Sequence, residues 1–264
     1  MLDYVTDISI NIIAGILFGL LTFLAAKLRS VLELYRATRF FGHQIRGDDL
    51  RIVPGSFSSL DPGHRSPSKE TPTCQKTYQN GATVAIRGPK LFTGIADIRA
   101  GSYVIQAISK FRKRSLSLST DDEALTNLDQ TFIALGGPVS NQITLAALRD
   151  PHNSFIDHQI SDNLITKAKI FHLKLNGETK AFRPTPEYGY GYILKIRNSR
   201  FPDHYFFICA GLGDWGTSGT AWYLANKWAE IYKEFGGSEF VMVCEVTRQI
   251  DTSTVCIFKS KKVG

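Results

Sequence analysis

Apolar positions are spread unevenly along the chain, and the densest run comes first. Ile8–Ala26 reads ISINIIAGILFGLLTFLAA, 19 residues without a charge. At about 1.5 Å per residue, that length matches the hydrocarbon thickness of a bilayer. The pattern predicts a helix that crosses a membrane once. A cleaved signal peptide would open on Lys or Arg, whereas this chain opens MLDYVTD, and no A-x-A pattern follows the run. Beyond Ala26 the pattern turns amphipathic, with Leu28, Val31, Leu32 and Tyr35 on one face and Arg29, Glu33 and Arg36 on the other. Residues 1–41 are therefore expected to form a transmembrane anchor and a juxtamembrane helix. Lys27, Arg29, Arg36, Arg39 and Arg46 follow the span, which places residues 42–264 in the cytoplasm as a soluble domain. Gly15 and Gly19 form a G-x-x-x-G within the span, a spacing that allows a second copy of the helix to approach closely.

The soluble part alternates between strand and helix patterns. Leu50–Val53 predicts a first strand ending in Pro54-Gly55-Ser56. Residues 58–81 are rich in Ser, Pro, Thr and charge without apolar periodicity, and predict an exposed flexible loop. Thr83–Ile86 predicts a short strand, and Leu91–Phe111 has helical spacing interrupted by Gly94 and Gly101. Thr120-Asp121-Asp122-Glu123 resembles a helix cap. Thr131–Leu135 is a short apolar strand ending in Gly136-Gly137-Pro138, followed by a helix over Asn141–Leu148. Residues 169–197 predict an antiparallel meander inserted into the domain. Tyr205–Ala210 reads as a strand buried on both faces. A Gly-rich turn then leads to a helix over Thr220–Phe235, and strands at Phe240–Val246 and Thr254–Lys259 close the chain. The recurrence of strand, Gly turn and helix predicts an α/β domain: a three-layer Rossmann-like mixed sheet with a β-rich insertion.

Composition adds little that the pattern does not already require. Hydrophobic residues make up 43% and charged residues 21%, as in ordinary globular proteins. The net charge of +7 gathers after the anchor and around Lys110–Arg114, where anionic lipid accounts for it without nucleic acid. Cys209, Cys244 and Cys256 sit in apolar runs and predict buried, reduced thiols. The four cysteines and six histidines show no metal-ligand spacing, so neither a metal nor a cofactor is expected.

Candidate chemistry lies in three turns. In open α/β sheets, ligands bind beyond the carboxyl ends of the strands. Glycines let the backbone approach a ligand, and the amides of a following helix attract anions. The turns supply Gly55 and Ser56; Gly137, Ser140 and Asn141; and Gly213, Thr217 and Ser218. If the strands at 50–53, 131–135 and 205–210 are parallel neighbours, these residues share one rim suited to a phosphorylated ligand. Gly211, Gly213 and Gly216 have dinucleotide-fingerprint spacing, but no Walker lysine is present and no acidic ribose partner follows. Tight turns and helix–sheet packing explain the same glycines equally simply. Asp97 and Asp214 are the candidate catalytic carboxylates; Asp61 is a further one.

With its N-terminal helix and its GGPVSN and GLGDWGTSGT turns, the layout resembles bacterial membrane-tethered effectors and sensors of anti-phage systems. That resemblance implies a Rossmann-like nucleotide-sensing or nucleotide-cleaving domain. The chain is thus expected to be a membrane-anchored sensor of a nucleotide or similar phosphorylated ligand. The alternatives are a nucleotide-cleaving enzyme that hydrolyses a glycosidic bond and a membrane scaffold without a small ligand.

Overall fold

A computed structural model describes residues 2–55, 57–58, 73–77, 83–87, 91–112, 116–156, 171–175, 178–211 and 214–262. The chain opens with one long helix, α1 (Leu2–Phe41). Then come β1 (Leu50–Pro54), β2 (Phe57–Ser58), β3 (Thr73–Thr77), β4 (Thr83–Arg87), β5 (Leu91–Phe92) and α2 (Ile95–Ser109). β6 (Ser117–Leu118), α3 (Asp121–Thr126), β7 (Thr131–Leu135) and α4 (Gln142–Leu148) complete the first half. The second half holds β8 (Phe171–Leu175), β9 (Glu178–Phe182), β10 (Tyr188–Arg197), β11 (Tyr205–Gly211), α5 (Asp214–Phe235), β12 (Phe240–Thr247) and β13 (Val255–Lys261).

Seven strands form one mixed sheet in the order β13-β12-β10-β11-β7-β1-β6. β11, β7, β1 and β6 run parallel to one another. β10 runs antiparallel to both β11 and β12, and β13 antiparallel to β12. The three strands expected to be parallel neighbours are so, with Ile52 beside Ile133 and Ile133 beside Phe207.

Side chains alternate across the sheet, and each face has its own core. On one face Ile52, Ile133, Leu135, Phe207 and Cys209 pack against Ala100 and Val104 of α2 and Leu224 and Trp228 of α5. On the other, Phe132, Ala134, Phe206 and Ile208 pack with Ala124 of α3 and Ile143 of α4. The short β7 is buried at every position, which is why Phe132–Leu135 form an apolar run rather than an alternation.

α1 belongs to two environments. Ala37, Phe40 and Phe41 are buried in the first core, and Phe40 stacks on Phe240 with ring centroids 6.0 Å apart. From Gly15 toward the domain the helix is long and apolar enough to cross a membrane, with mean hydropathy 1.7 in its most apolar stretch and none of that stretch buried. A core helix would be covered; this one is bare, which is consistent with membrane association.

Four sequence expectations need correction. β10 is not part of an inserted meander: it pairs on both sides within the main sheet. Of the segment 169–197, β8 and β9 alone form a ribbon separate from that sheet among the described residues. The last helix begins at Asp214, six residues before Thr220, so Thr217 and Ser218 belong to it rather than to a preceding turn. Within residues 58–81, Thr73–Thr77 is a strand paired with β4, and the rest apart from Ser58 lies outside the described residues. The expected Leu91–Phe111 helix is shorter, starting at Ile95 after the β5 strand. Thr120 caps α3 as expected, in a reciprocal capping box with Glu123.

Candidate functional site

Because β1, β7 and β11 are adjacent and parallel, their carboxyl ends at Pro54, Leu135 and Gly211 lie along one edge. The turns leaving β1 and β7 touch each other, and the one after β7 touches the end of β11. The Gly136 amide donates to the Cys209 carbonyl across to β11 at 3.0 Å. Gly136 has φ +110°, a conformation that L side chains rarely adopt. A methyl on Gly137 would stand 3.9 Å from the Gly211 carbonyl.

Asp97 and Ser140 meet at the same place. Asp97 lies in the first turn of α2, where a carboxylate favours the positive end of the helix dipole, and it is 6% exposed. A Cβ on Gly55 would come within 2.8 Å of its Oδ2, 3.0 Å of the Ser140 hydroxyl and 3.2 Å of the Leu135 carbonyl. One on Gly136 would stand 3.0 Å from the same hydroxyl and 3.6 Å from Asp97 Oδ1. Two glycine backbones, a carboxylate and a hydroxyl are thus in contact at the ends of β1 and β7. Ser140 also donates to the Gly137 carbonyl at 3.3 Å.

Asn141 takes a framework position. It is fully buried, and its amide nitrogen donates to the carbonyls of Val53 (2.8 Å) and Leu135 (3.1 Å). Its Oδ1 accepts from the amides of Ile143 and Thr144, capping α4. Thr144 completes the brace by donating to the Gly136 carbonyl at 2.9 Å. One side chain therefore ties together two strand ends and a helix start.

The end of β11 and the start of α5 are built differently. Ala210 and Gly211 lie against Gly191 and Gly216, where any added Cβ would strike backbone atoms. A Cβ on Gly219 would stand 2.6 Å from Thr254 Oγ1. Gly216 and Gly219 let α5 lie close on the sheet, a packing use of glycine. Thr217 and Ser218 are buried. The Ser218 hydroxyl donates to Asp251 Oδ1 at 2.6 Å and accepts from Arg99 Nη2 at 2.8 Å. Arg99 also pairs with Asp251 at 3.2 Å and stacks its guanidinium over Trp215, 4.3 Å from the ring centroid. Tyr103 donates to Asp251 Oδ2 at 3.0 Å, and burial followed by this hydrogen bond raises its pKa. Asp251 follows β12, which points the same way as β11, so its turn leaves the same edge. That fourth strand end was the signal that would have found Asp251 in the sequence.

Gly55, Gly137, Ser140 and Asp97 are thus brought together, while Asn141 and Ser218 are engaged in holding elements to one another. Ser56, Gly213 and Asp61 lie outside the described residues, and Asp214 is the first residue of α5. Among the described residues no cluster of His, Cys, Asp and Glu could hold a metal ion. Cys209 and Cys244 are buried free thiols, with pKa values driven up by burial. Comparison of the chain with protein-family models, with curated proteins and with solved structures gives no significant match.

Proposed function

We propose that this chain is a single-pass membrane protein whose cytoplasmic, three-layer Rossmann-like domain binds a nucleotide or another phosphorylated metabolite. The observation that carries the reading is the contact of Gly55, Gly136, Asp97 and Ser140 at the carboxyl edge of two parallel strands, with the end of a third, β11, beside them. This edge is where open α/β sheets bind ligands, and the Asp97 carboxylate and Ser140 hydroxyl that close over the two glycines supply its polar groups. The uncovered apolar stretch of α1 and the cations after it support the anchored, cytoplasmic arrangement. The anti-phage setting rests on the architectural resemblance alone.

The test is thermal unfolding of the detergent-solubilised protein against nucleoside mono-, di- and triphosphates, dinucleotides and cyclic oligonucleotides. A ligand at 100 times its Kd adds about 2.7 kcal/mol, a readily measured rise in Tm. No rise with any of them would refute the reading. A second reading, cleavage of a nucleotide, is favoured by the position of the buried Asp97 carboxylate at the meeting of the turns.

A further inference from the structure

β13 is the terminal strand of the seven-stranded sheet, and a bulge in it sets two cysteines opposite each other. Val243 of β12 lies opposite Phe258, but Cys244 lies opposite Cys256, so Ile257 is the extra residue. Without that residue, Cys244 would face position 257. Because of it, Phe258 packs with the second core, while Cys256, two positions away, packs with the first, which holds Cys244. Directly opposed residues of an antiparallel pair have Cα atoms about 4.5–5.5 Å apart, inside the range of about 4.4–6.8 Å that a disulfide spans.

The two thiols differ in access. Cys244 is fully buried, whereas Cys256 is half-buried on a strand whose outer side pairs with no other among the described residues. Both are free. Burial raises both pKa values, for Cys256 against the opposing pull of the Phe258 backbone and Lys259, so the pair rests as protonated thiols. The thiolate is the reactive form, and access decides which sulfur an oxidant meets, so Cys256 is the point of entry. A second thiol in reach then captures the sulfenic acid before it can be oxidised further.

We propose that Cys244 and Cys256 are a redox modification site, at which hydrogen peroxide converts the pair to an intramolecular disulfide. The Cys256 thiolate attacks one peroxide oxygen and breaks the O–O bond. This leaves a sulfenic acid and a hydroxide, which takes up a proton to become water. The Cys244 sulfur then attacks the sulfenic sulfur, gives up its own proton and expels the hydroxyl as a second water. Two thiols and one peroxide thus give one disulfide and two waters, and two equivalents of a small thiol reverse the step. Transient bridges of this kind are the ones found in reducing compartments. The bridge closes residues 245–255 into a loop. That loop carries Asp251, which holds Arg99, Ser218 and Tyr103 together. Nothing in this chemistry depends on a ligand at the strand-end edge.

The test uses the full-length chain in detergent. The folded protein is treated with hydrogen peroxide, its remaining thiols are blocked with iodoacetamide, and it is digested with trypsin without reduction. Cleavage at Arg248 parts the two cysteines, so two peptides joined through them, two hydrogens lighter than their sum, report the bridge by mass spectrometry. This linked pair is expected as the main oxidation product, and dithiothreitol should abolish it. In Cys244→Ala the partner is gone, and Cys256 should be trapped by dimedone as a sulfenic acid severalfold more than in wild type. Equal trapping in both proteins, a bridge to Cys74 or Cys209 in place of this one, or no oxidation of Cys256 in wild type would overturn the site. The wild-type peptides decide the matter even if the variant fails to fold.

Discussion

Lys195 buries its ammonium nitrogen 5.2 Å from the ring centre of Phe40, joining the middle of the sheet to the end of the apolar helix. Tyr205 and Phe207 face the same nitrogen at 4.6 and 5.4 Å, and it donates to the Gly237 carbonyl at 2.9 Å. Aromatic faces attract a cation but replace little of its hydration. Burial lowers the amine pKa from 10.5 to about 7, against an upward pull from Glu239 and with a further lowering by Arg197.

This gives the stability a pH dependence of known sign. Between about 7 and 10.5 the unfolded amine is charged while the folded one is losing its proton, so the unfolded state binds more protons. Stability from this group therefore rises with pH across that interval, at up to about 1.4 kcal/mol per unit, and is flat below and above it. Lys195→Met should lack the rise. The gap between variant and wild-type Tm, followed in detergent from pH 7 to 10, is expected to move steadily in favour of wild type. A constant gap would mean that the buried amine keeps its ordinary pKa.

Asn141→Ala removes a cap and leaves the Val53 and Leu135 carbonyls without their shared donor. A lost cap costs about 1 kcal/mol and a buried unsatisfied carbonyl about 1–3, so the total should be about 2–4 kcal/mol. Asn141→Asp keeps the capping oxygen but turns a second acceptor onto two carbonyls, and is expected to be no better. Urea denaturation checks both. A neutral Asn141→Asp would show that the amide is free for a ligand.

Glycine substitutions should separate the two uses of this residue. Gly216→Ala drives a methyl into the Tyr190 carbonyl and toward Gly211 Cα, both backbone, which cannot move aside as a side chain can. Overpacking of this kind costs about 1–3 kcal/mol. Gly15→Ala and Gly19→Ala meet nothing within 4 Å and should leave the Tm of the domain unchanged. Differential scanning calorimetry of the three variants gives the comparison.

The same residues explain what the sequence could and could not disclose. TFIAL and YFFICA read correctly as parallel strands because burial on both faces leaves an unbroken apolar run, Phe132–Leu135 and Phe206–Ala210, with no alternation to confuse the pattern. The start of α5 was misplaced because a segment rich in glycine carries turn propensity, and packing on β10 overrides it. β10 looked like an insertion because YGYGYILKIR opens with glycines at alternate positions. Gly191 is required by the closeness of Gly216 and Thr220, a contact with no local signature. The Arg99, Ser218 and Asp251 cluster joins residues 119 and 152 positions apart, beyond the reach of any periodicity.

Orientation is tested by fusion. Alkaline phosphatase joined to the C-terminus of the chain in bacteria is expected to be inactive, because it folds only outside the cytoplasm, and a fluorescent protein at the same point should glow. The cations from Lys27 to Arg46 set this expectation. Active phosphatase with a dark fluorescent fusion would reverse the orientation while leaving the span intact.

Asp97 decides between binding and catalysis. Its carboxylate is buried beside Gly55, Gly136 and Ser140, at the strand-end edge where the proposed ligand would come within reach of it. If the domain only binds, Asp97→Asn keeps the shape and most hydrogen-bonding capacity, so the nucleotide-induced rise in Tm should persist with at most a modest loss of affinity. If the domain cleaves a glycosidic bond, the carboxylate must take up or stabilise charge as the bond breaks, which an amide cannot do. Loss of such a group typically costs about 10²–10⁴-fold in rate. Product release from NAD and ATP, measured chromatographically for wild type and Asp97→Asn beside the thermal shift, separates the outcomes. A shift that survives substitution without turnover in either protein makes the chain a sensor. Turnover in wild type that falls by that factor in a variant that still binds makes it an enzyme. Neither shift nor turnover in wild type removes the ligand altogether and leaves a membrane scaffold whose glycines serve packing alone.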